Sequence, residues 1–338
     1  MTKRVLRRLG IAVGATLGGL ALLALVVPLL LSPDPSPGTS TVDTLMGPMS
    51  RIVTVPFEGT DGIDLHVVDR GDPSTGEPVF VLLHGSNFNA STWNDVIDGL
   101  SEIGRTVAYD QVPYGLSEKL VEGDWSGPNP YTPEAAVQRL NALLDERNLD
   151  RVVLIGSSYG GTLAVRAALT MPERIAGLVL VDAAVFVNES MPAWLLNSPQ
   201  MARLGPLMAR FIGTGTAFYE QCYSDPALFT GVRKQRTMVM TQLPNWDFAL
   251  WAYLKAWGTE SVNYEEQLST ISIPTLVMSG SEDAIVPPED SRKLQNLLPD
   301  ASLVMIDGAG HLPHEESPAE FLEAVKRWMT DQGILSLP

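Results

Sequence analysis

The sequence predicts an α/β protein: a mostly parallel sheet, covered by helices on both faces and interrupted by one long helical insertion. Three observations carry that expectation. From about residue 51, short apolar runs alternate with longer helical patterns, the rhythm of strands joined by crossover helices. Several runs are almost continuously apolar, namely VFVLL (79–83), RVVLIG (151–156), AGLVLVD (176–182) and PTLVMSG (274–280), as strands buried on both faces must be. Residues 186–268 break the rhythm. They are rich in Met, Trp, Leu and Phe, show no clear strand, and are too long for a structureless loop.

Taken in order, the chain opens with Lys3, Arg4, Arg7 and Arg8, followed by a charge-free run over 11–31. As a helix this run would span about 30 Å, the thickness of a bilayer core. It exceeds an ordinary signal-peptide core and no small-residue cleavage site follows. Residues 1–31 are therefore expected to be a membrane anchor. The positive-inside bias would place the body outside the cytoplasm, with cleavage and secretion as the alternative. Residues 32–50, rich in Pro, Ser, Gly and Thr, read as a linker. Eight strand candidates follow, at 51–56, 63–69, 78–83, 105–110, 151–156, 176–182, 274–279 and 302–306. Helical patterns cover 92–103, 132–147, 159–170, 288–297 and 317–331. This divides the body into a core (51–185 and 269–338) and an insertion (186–268).

Composition removes several function classes. The net charge of −16 repels phosphate backbones, so no nucleic-acid partner is expected. Cys222 is the sole cysteine, which excludes an intrachain disulfide and a thiolate zinc cluster. The histidines (His66, His84, His311 and His314) show no metal-binding spacing, so neither metal nor cofactor is expected.

The chemistry-bearing motif is Gly156-Ser157-Ser158-Tyr159-Gly160, set between the strand RVVLI and the helical pattern TLAVRAAL. In that setting G-x-S-x-G lifts a serine hydroxyl above the sheet edge on a strained turn. Ser158 is the expected nucleophile, with Ser157 on the wrong position of the motif. The Tyr159 N–H at the helix start, and that of Ser86 in His84-Gly85-Ser86-Asn87, are expected to face a developing oxyanion. His84, between a strand and a glycine, reads as a structural hydrogen-bonding residue. His311, in Gly308-Ala309-Gly310-His311, is the expected general base, with His314 its competitor. Asp283, after PTLVMSG, is the expected orienting acid, with Glu282 and Asp182 as alternatives.

The order Ser158, Asp283, His311, each at a strand end, resembles the α/β-hydrolase superfamily over about residues 51–332. The resemblance implies an eight-stranded mixed sheet, a helical cap inserted after the sixth strand (here 186–268), and no cofactor. The loop Asp110-Gln111-Val112-Pro113-Tyr114-Gly115-Leu116-Ser117 is similar to the family's D-x-x-G-x-G-x-S stretch, with Pro113 where glycine is usual and Asp110 structural. Serine at position 158 argues against the dehalogenase and epoxide-hydrolase branches, which carry aspartate there. The expected function is hydrolysis of a carboxylic ester of a hydrophobic small molecule through an acyl-enzyme. The alternatives are carbon–carbon or amide hydrolysis or perhydrolysis on the same residues, and a catalytically silent, membrane-tethered binding protein.

Overall fold

The apolar runs become the strands of one sheet. The computed structural model describes residues 25–71, 78–187, 190–260 and 262–335. Its strands are β1 (Ser50–Val55), β2 (Ile63–Arg70), β3 (Val79–Leu83), β4 (Arg105–Tyr109), β5 (Val152–Ser157), β6 (Ile175–Val181), β7 (Phe186–Val187), β8 (Val262–Asn263), β9 (Thr275–Gly280) and β10 (Ala301–Ile306). Eight form a mixed sheet in the order β1-β2-β4-β3-β5-β6-β9-β10. β2 runs antiparallel to both neighbours, and every pairing from β4 to β10 is parallel. The short β7 and β8 pair antiparallel where the chain leaves and re-enters the core. Two residues per strand are too few to leave an alternating pattern, so the sequence shows no sign of them.

Helices cover both faces: α1 (Ile97–Ser101), α2 (Pro133–Glu146), α3 (Tyr159–Thr170), α4 (Pro199–Thr214), α5 (Trp246–Gly258), α6 (Pro288–Leu297) and α7 (Pro318–Asp331). Their starts are legible. Proline occupies the first turn of α2, α4, α6 and α7, and the Thr132 side chain caps α2 by accepting from the Ala135 N–H. Leu140, Leu143, Leu163 and Leu294 bury one face of the sheet, and Ile97, Leu100, Phe321 and Trp328 the other. α4 and α5 pack against each other in the insertion after β6, forming the cap.

The expectation of a membrane anchor over 11–31, with a membrane partner and a body displayed outside the cytoplasm, is corrected here. Among the described residues no helix is long and apolar enough to cross a membrane. Residues 11–24 of that run lie outside the described residues. Its end, Val27–Leu30, is one 3₁₀ turn lying against α4. Arg203 donates to the Leu31 carbonyl at 2.8 Å, and Gln200 to that of Leu25 at 3.2 Å. The segment that follows lies along the cap. The Thr39 and Ser40 amides donate to the Gln242 carbonyl, and the Ser36 amide to buried Asp247.

Candidate active site

The order of the sheet places the site. From β3 the chain crosses to β4 on one side, and β5 lies on the other. At such a switch the loops part and leave a crevice at the carboxyl ends of the strands. Residues 84–87 leave β3 there, Ser158 leaves β5, Asp182 leaves β6, Asp283 follows β9 and His311 follows β10.

Ser158 sits at φ 53°, ψ −117°, a region that L-residues rarely occupy. The turn is over-determined, which is how a strain of about 1–3 kcal/mol persists. The Ser158 N–H donates to the Val181 carbonyl, and the Ser158 carbonyl accepts from the Gly161, Thr162 and Ala184 amides. The turn also needs helix α3 pressed against β3. A Cβ on Gly160 would lie 2.0 Å from the Leu83 carbonyl oxygen. Because that atom belongs to a central strand, Gly160→Ala should cost about 3–5 kcal/mol. Thermal unfolding should show either a collapse in Tm or no folded protein. An unchanged Tm would mean the helix and strand can separate freely.

Nδ1–H of His311 donates to Oδ2 of Asp283 at 2.8 Å, with both residues buried. Oδ1 of Asp283 accepts from the Ile285 and Val286 amides at 2.7 and 3.0 Å, so the carboxylate is held at both oxygens. Behind it stands Asp182, at the end of β6. Burial, then the neighbouring charge of Asp283, raises the Asp182 carboxyl well above its ordinary range. Asp182 Oδ1 accepts from the Ser279 hydroxyl at 2.7 Å and the Gly280 amide at 3.1 Å. Asp182, Asp283 and His311 have ligand-type atoms within 4.8 Å of one another. Those atoms are engaged with each other and with Ser279 and Gly280, so a metal would have to displace hydrogen bonds already made.

The loop carrying His311 is braced by the cap. The His311 N–H donates to the Cys222 carbonyl at 2.8 Å. Glu316 accepts from the Gly310 amide at 2.9 Å, and from the Ser224 amide and hydroxyl at 2.8 Å each. The sequence held no signal for this role, because glutamate at a helix start reads as a solvated charge.

Ser158, Ser86 and Tyr159 line one cavity of about 460 Å³. A Cβ on Gly85 would lie 3.0 Å from that of Ser158, so the loop after β3 touches the serine. The rest of the wall is mostly cap: Met191, Leu196, Met201, Met208, Ile212, Trp251, Leu254 and Trp257, with Glu260 the one charged residue among the described residues. Thus the structure pairs Asp283 with His311 and gathers Ser158, Ser86 and Tyr159 around one cavity. Among the described residues no hydrogen bond joins Ser158 Oγ to His311.

The competitors have other partners. His84 donates from Nδ1 to the Gly85 carbonyl and accepts at Nε2 from the Gln111 amide, both at 2.8 Å. His314 is buried against Trp93 with ring centroids 4.3 Å apart, and burial pushes its pKa down to about 3. Cys222 is buried, and its thiol is raised by burial. Asp110 accepts from the His66 ring and from the Ala90 and Leu116 amides. Burial alone would raise Asp110, but the His66 charge and these hydrogen bonds bring it from 3.8 to about 2. His66 is raised from 6.5: burial alone would lower it, and Asp110 more than offsets that.

These shifts describe one ion pair seen from each side. A depressed carboxylate contributes stability above its unfolded pKa and loses it as pH falls through the folded one. A raised histidine loses its contribution as pH rises through its folded value. The pair should therefore contribute most between the ordinary values of 3.8 and 6.5. About 2 kcal/mol should disappear as pH falls from about 4 to 2. Acid unfolding of Asp110→Asn should lack that slope. An unchanged slope would assign acid lability elsewhere.

Comparisons agree with this architecture. The profile of the Alpha/beta hydrolase family matches residues 80–324. A proline iminopeptidase of Lactobacillus helveticus is 26% identical over 298 residues, covering 81% of this chain and 96% of that one. The 2-hydroxy-6-oxo-2,4-heptadienoate hydrolase of Pseudomonas putida is 26% identical over 280 residues, covering 79% and 93%. Among solved structures, a thermophilic esterase from Thermogutta terrifontis superposes with a TM-score of 0.65 at 25% identity, covering 85% of this chain and all of that one. With the family profile spanning most of its length, a single mixed sheet and a cap after the sixth strand, the chain belongs to the alpha/beta hydrolase family.

Proposed function

We propose that this hydrolase, which acts on a small hydrophobic molecule, breaks a carbon–carbon or amide bond beside a carbonyl through an acyl-enzyme on Ser158. The observation that carries the reading is the buried His311–Asp283 pair, set at strand ends at the same edge of the sheet as the strained serine. In this mechanism His311 Nε2 takes the Ser158 proton as Oγ attacks the carbonyl carbon. Asp283 keeps the other proton on Nδ1 and stabilises the imidazolium. The Ser86 and Tyr159 amides hold the oxyanion. His311 then protonates the departing carbon or nitrogen, and a water that it deprotonates releases the acid. The Ser158–His311 hydrogen bond forms with substrate in place, a common tightening on going from the free enzyme to the Michaelis complex.

The curated relatives favour this bond class over the ester expected from sequence. A peptidase acts on an amide, and a 2-hydroxy-6-oxo-dienoate has no ester to hydrolyse. Ester hydrolysis is the second reading, favoured by the likeness to the thermophilic esterase. Among the described residues no lysine or arginine lines the cavity, which supports an uncharged substrate. In the proposed division of labour, 51–185 and 269–338 supply the reacting groups, and 186–268 supplies the apolar wall.

The test is a three-way panel on the full chain: a neutral vinylogous diketone, an apolar aminoacyl anilide and a p-nitrophenyl ester of similar size. The expected result is higher kcat/KM on the diketone or the anilide than on the ester. Ester turnover alone would select the second reading. No turnover, together with no fluorophosphonate labelling of Ser158, would overturn the mechanism.

A further inference from the structure

A second serine–histidine–aspartate chain is assembled at the other end of the sheet order, and it is complete. Ser50 begins β1, His66 lies across the β1–β2 ladder two pairs along and so on the same face, and Asp110 follows β4. Nδ1 of His66 lies 2.8 Å from Oδ2 of Asp110, and Nε2 of the same ring lies 2.8 Å from the Ser50 hydroxyl. Where the His66 ring is neutral, the remaining bonds fix who donates. Asp110 already accepts the Ala90 and Leu116 amides at 2.7 and 2.6 Å, so it faces His66 as an acceptor and fixes a proton on Nδ1. Nε2 of the neutral ring is then the acceptor. Ser50 Oγ accepts the Gly47 amide at 3.2 Å, which leaves its own proton directed at His66. A nucleophile, its base and the group that orients the base are thus in hydrogen-bonding register.

The chain opens onto space. Ser50, His66 and Asp110 line a cavity of about 260 Å³ that shares no lining residue with the cavity over Ser158. Arg236, brought by the cap, lines it too, and its Nε is buried without a hydrogen-bond partner among the described residues. A buried donor without an acceptor is costly, and an oxygen carrying developing negative charge would satisfy it.

We propose that Ser50 is a second reactive serine, activated by His66 and Asp110, that accepts small uncharged acyl groups from activated esters. Ser50 Oγ attacks the carbonyl carbon while its proton passes to His66 Nε2, and Arg236 faces the oxyanion. The bond to the leaving oxygen breaks, and that oxygen takes the proton from His66. Water then attacks the acyl-serine, its proton passing through His66 back to Ser50 Oγ. The small volume restricts the acyl group to a few carbons. Nothing in this inference depends on Ser158 being reactive.

The experiment uses the full chain carrying Ser158→Ala, a small fluorophosphonate probe and peptide mapping. Mildly alkaline pH keeps His66 neutral against the pull of Asp110; Lys119 also acts on its charge, and Arg70 and Arg236 line the same cavity. The expected result is labelling at Ser50, at least about tenfold faster than at any other serine, with a stoichiometric burst from p-nitrophenyl acetate. Both should vanish in Ser158→Ala/Ser50→Ala, and labelling should fall at least about tenfold in a folded His66→Gln variant. Ser50→Ala alone should leave Ser158 labelling unchanged. A folded Ser158→Ala protein that stays unlabelled at Ser50 under saturating probe would overturn the proposal, whatever the His66 variant does. Labelling at Ser50 that persists in His66→Gln would remove His66 from the mechanism.

Discussion

Replacing Ser158 by alanine is expected to lower turnover by about 10⁵-fold or more, with Tm moving by no more than a few degrees. The two halves of that expectation have separate causes. The strained turn is held by backbone hydrogen bonds to Val181, Gly161, Thr162 and Ala184, none of which involves the hydroxyl. Alanine therefore inherits the same backbone at little further cost. Turnover is different, because no other hydroxyl occupies the strained position at the end of β5. Steady-state kinetics on the best panel substrate, together with thermal unfolding, checks both halves. Retained turnover in a folded variant would remove Ser158 from the mechanism. Residual acetyl-ester hydrolysis that disappears with Ser50→Ala would belong to the second site.

The second large effect separates two buried carboxyls that lie side by side. Asp283→Asn should cost about 10⁴-fold in kcat. An amide nitrogen facing Nδ1 favours the tautomer whose proton sits on Nε2, where it cannot accept from serine, and the imidazolium loses its counter-charge. Asp182→Asn should stay within about tenfold of the parent. Asp182 is the carboxyl that burial and the Asp283 charge keep protonated, so a neutral amide replaces a neutral acid. Its oxygen still accepts from Ser279 and Gly280. The reverse order, with Asp182→Asn inactive and Asp283→Asn active, would move the orienting role to Asp182. Equal, large losses in both would show that the two share their charge.

Much of this site was legible in the sequence for a physical reason. A nucleophile turn needs glycines where a helix crosses a strand, and Gly156 and Gly160 flank Ser158 at that spacing. Asp283 and His311 each follow an apolar strand, and parallel strands deliver whatever follows them to one edge. The sequence reading preferred Asp283 but left Asp182 as an alternative, because both follow such strands. The histidine pairs with Asp283, while Asp182 stands behind it, bound to Ser279 and Gly280. Glu316 was invisible as the brace of the His311 loop, since its partner Ser224 lies 92 residues away. The second site was hidden similarly. Ser50 closed a segment that reads as linker, and His66 is one polar residue in an alternating strand.

The apolar run at the N-terminus shows the opposite failure. Its composition satisfied every local criterion for a spanning helix, yet among the described residues no helix is long and apolar enough to cross a membrane, and its described end is tied to the cap by Gln200 and Arg203. Hydropathy reports only that a segment is apolar and not what it lies against; of the 3₁₀ turn only Pro28 is buried.

What the sequence by itself determined is the layered fold, the cap's position and the strand ends that carry Ser158, Asp283 and His311. These depend on local periodicity and on the chain order of strands, both of which are written along one dimension. Only the tertiary structure decided which carboxyl meets His311, which cap residues brace its loop, and that Ser50, His66 and Asp110 meet at all. Such contacts join residues that are 16 to 92 positions apart, and no local pattern encodes the distance that folding brings to zero.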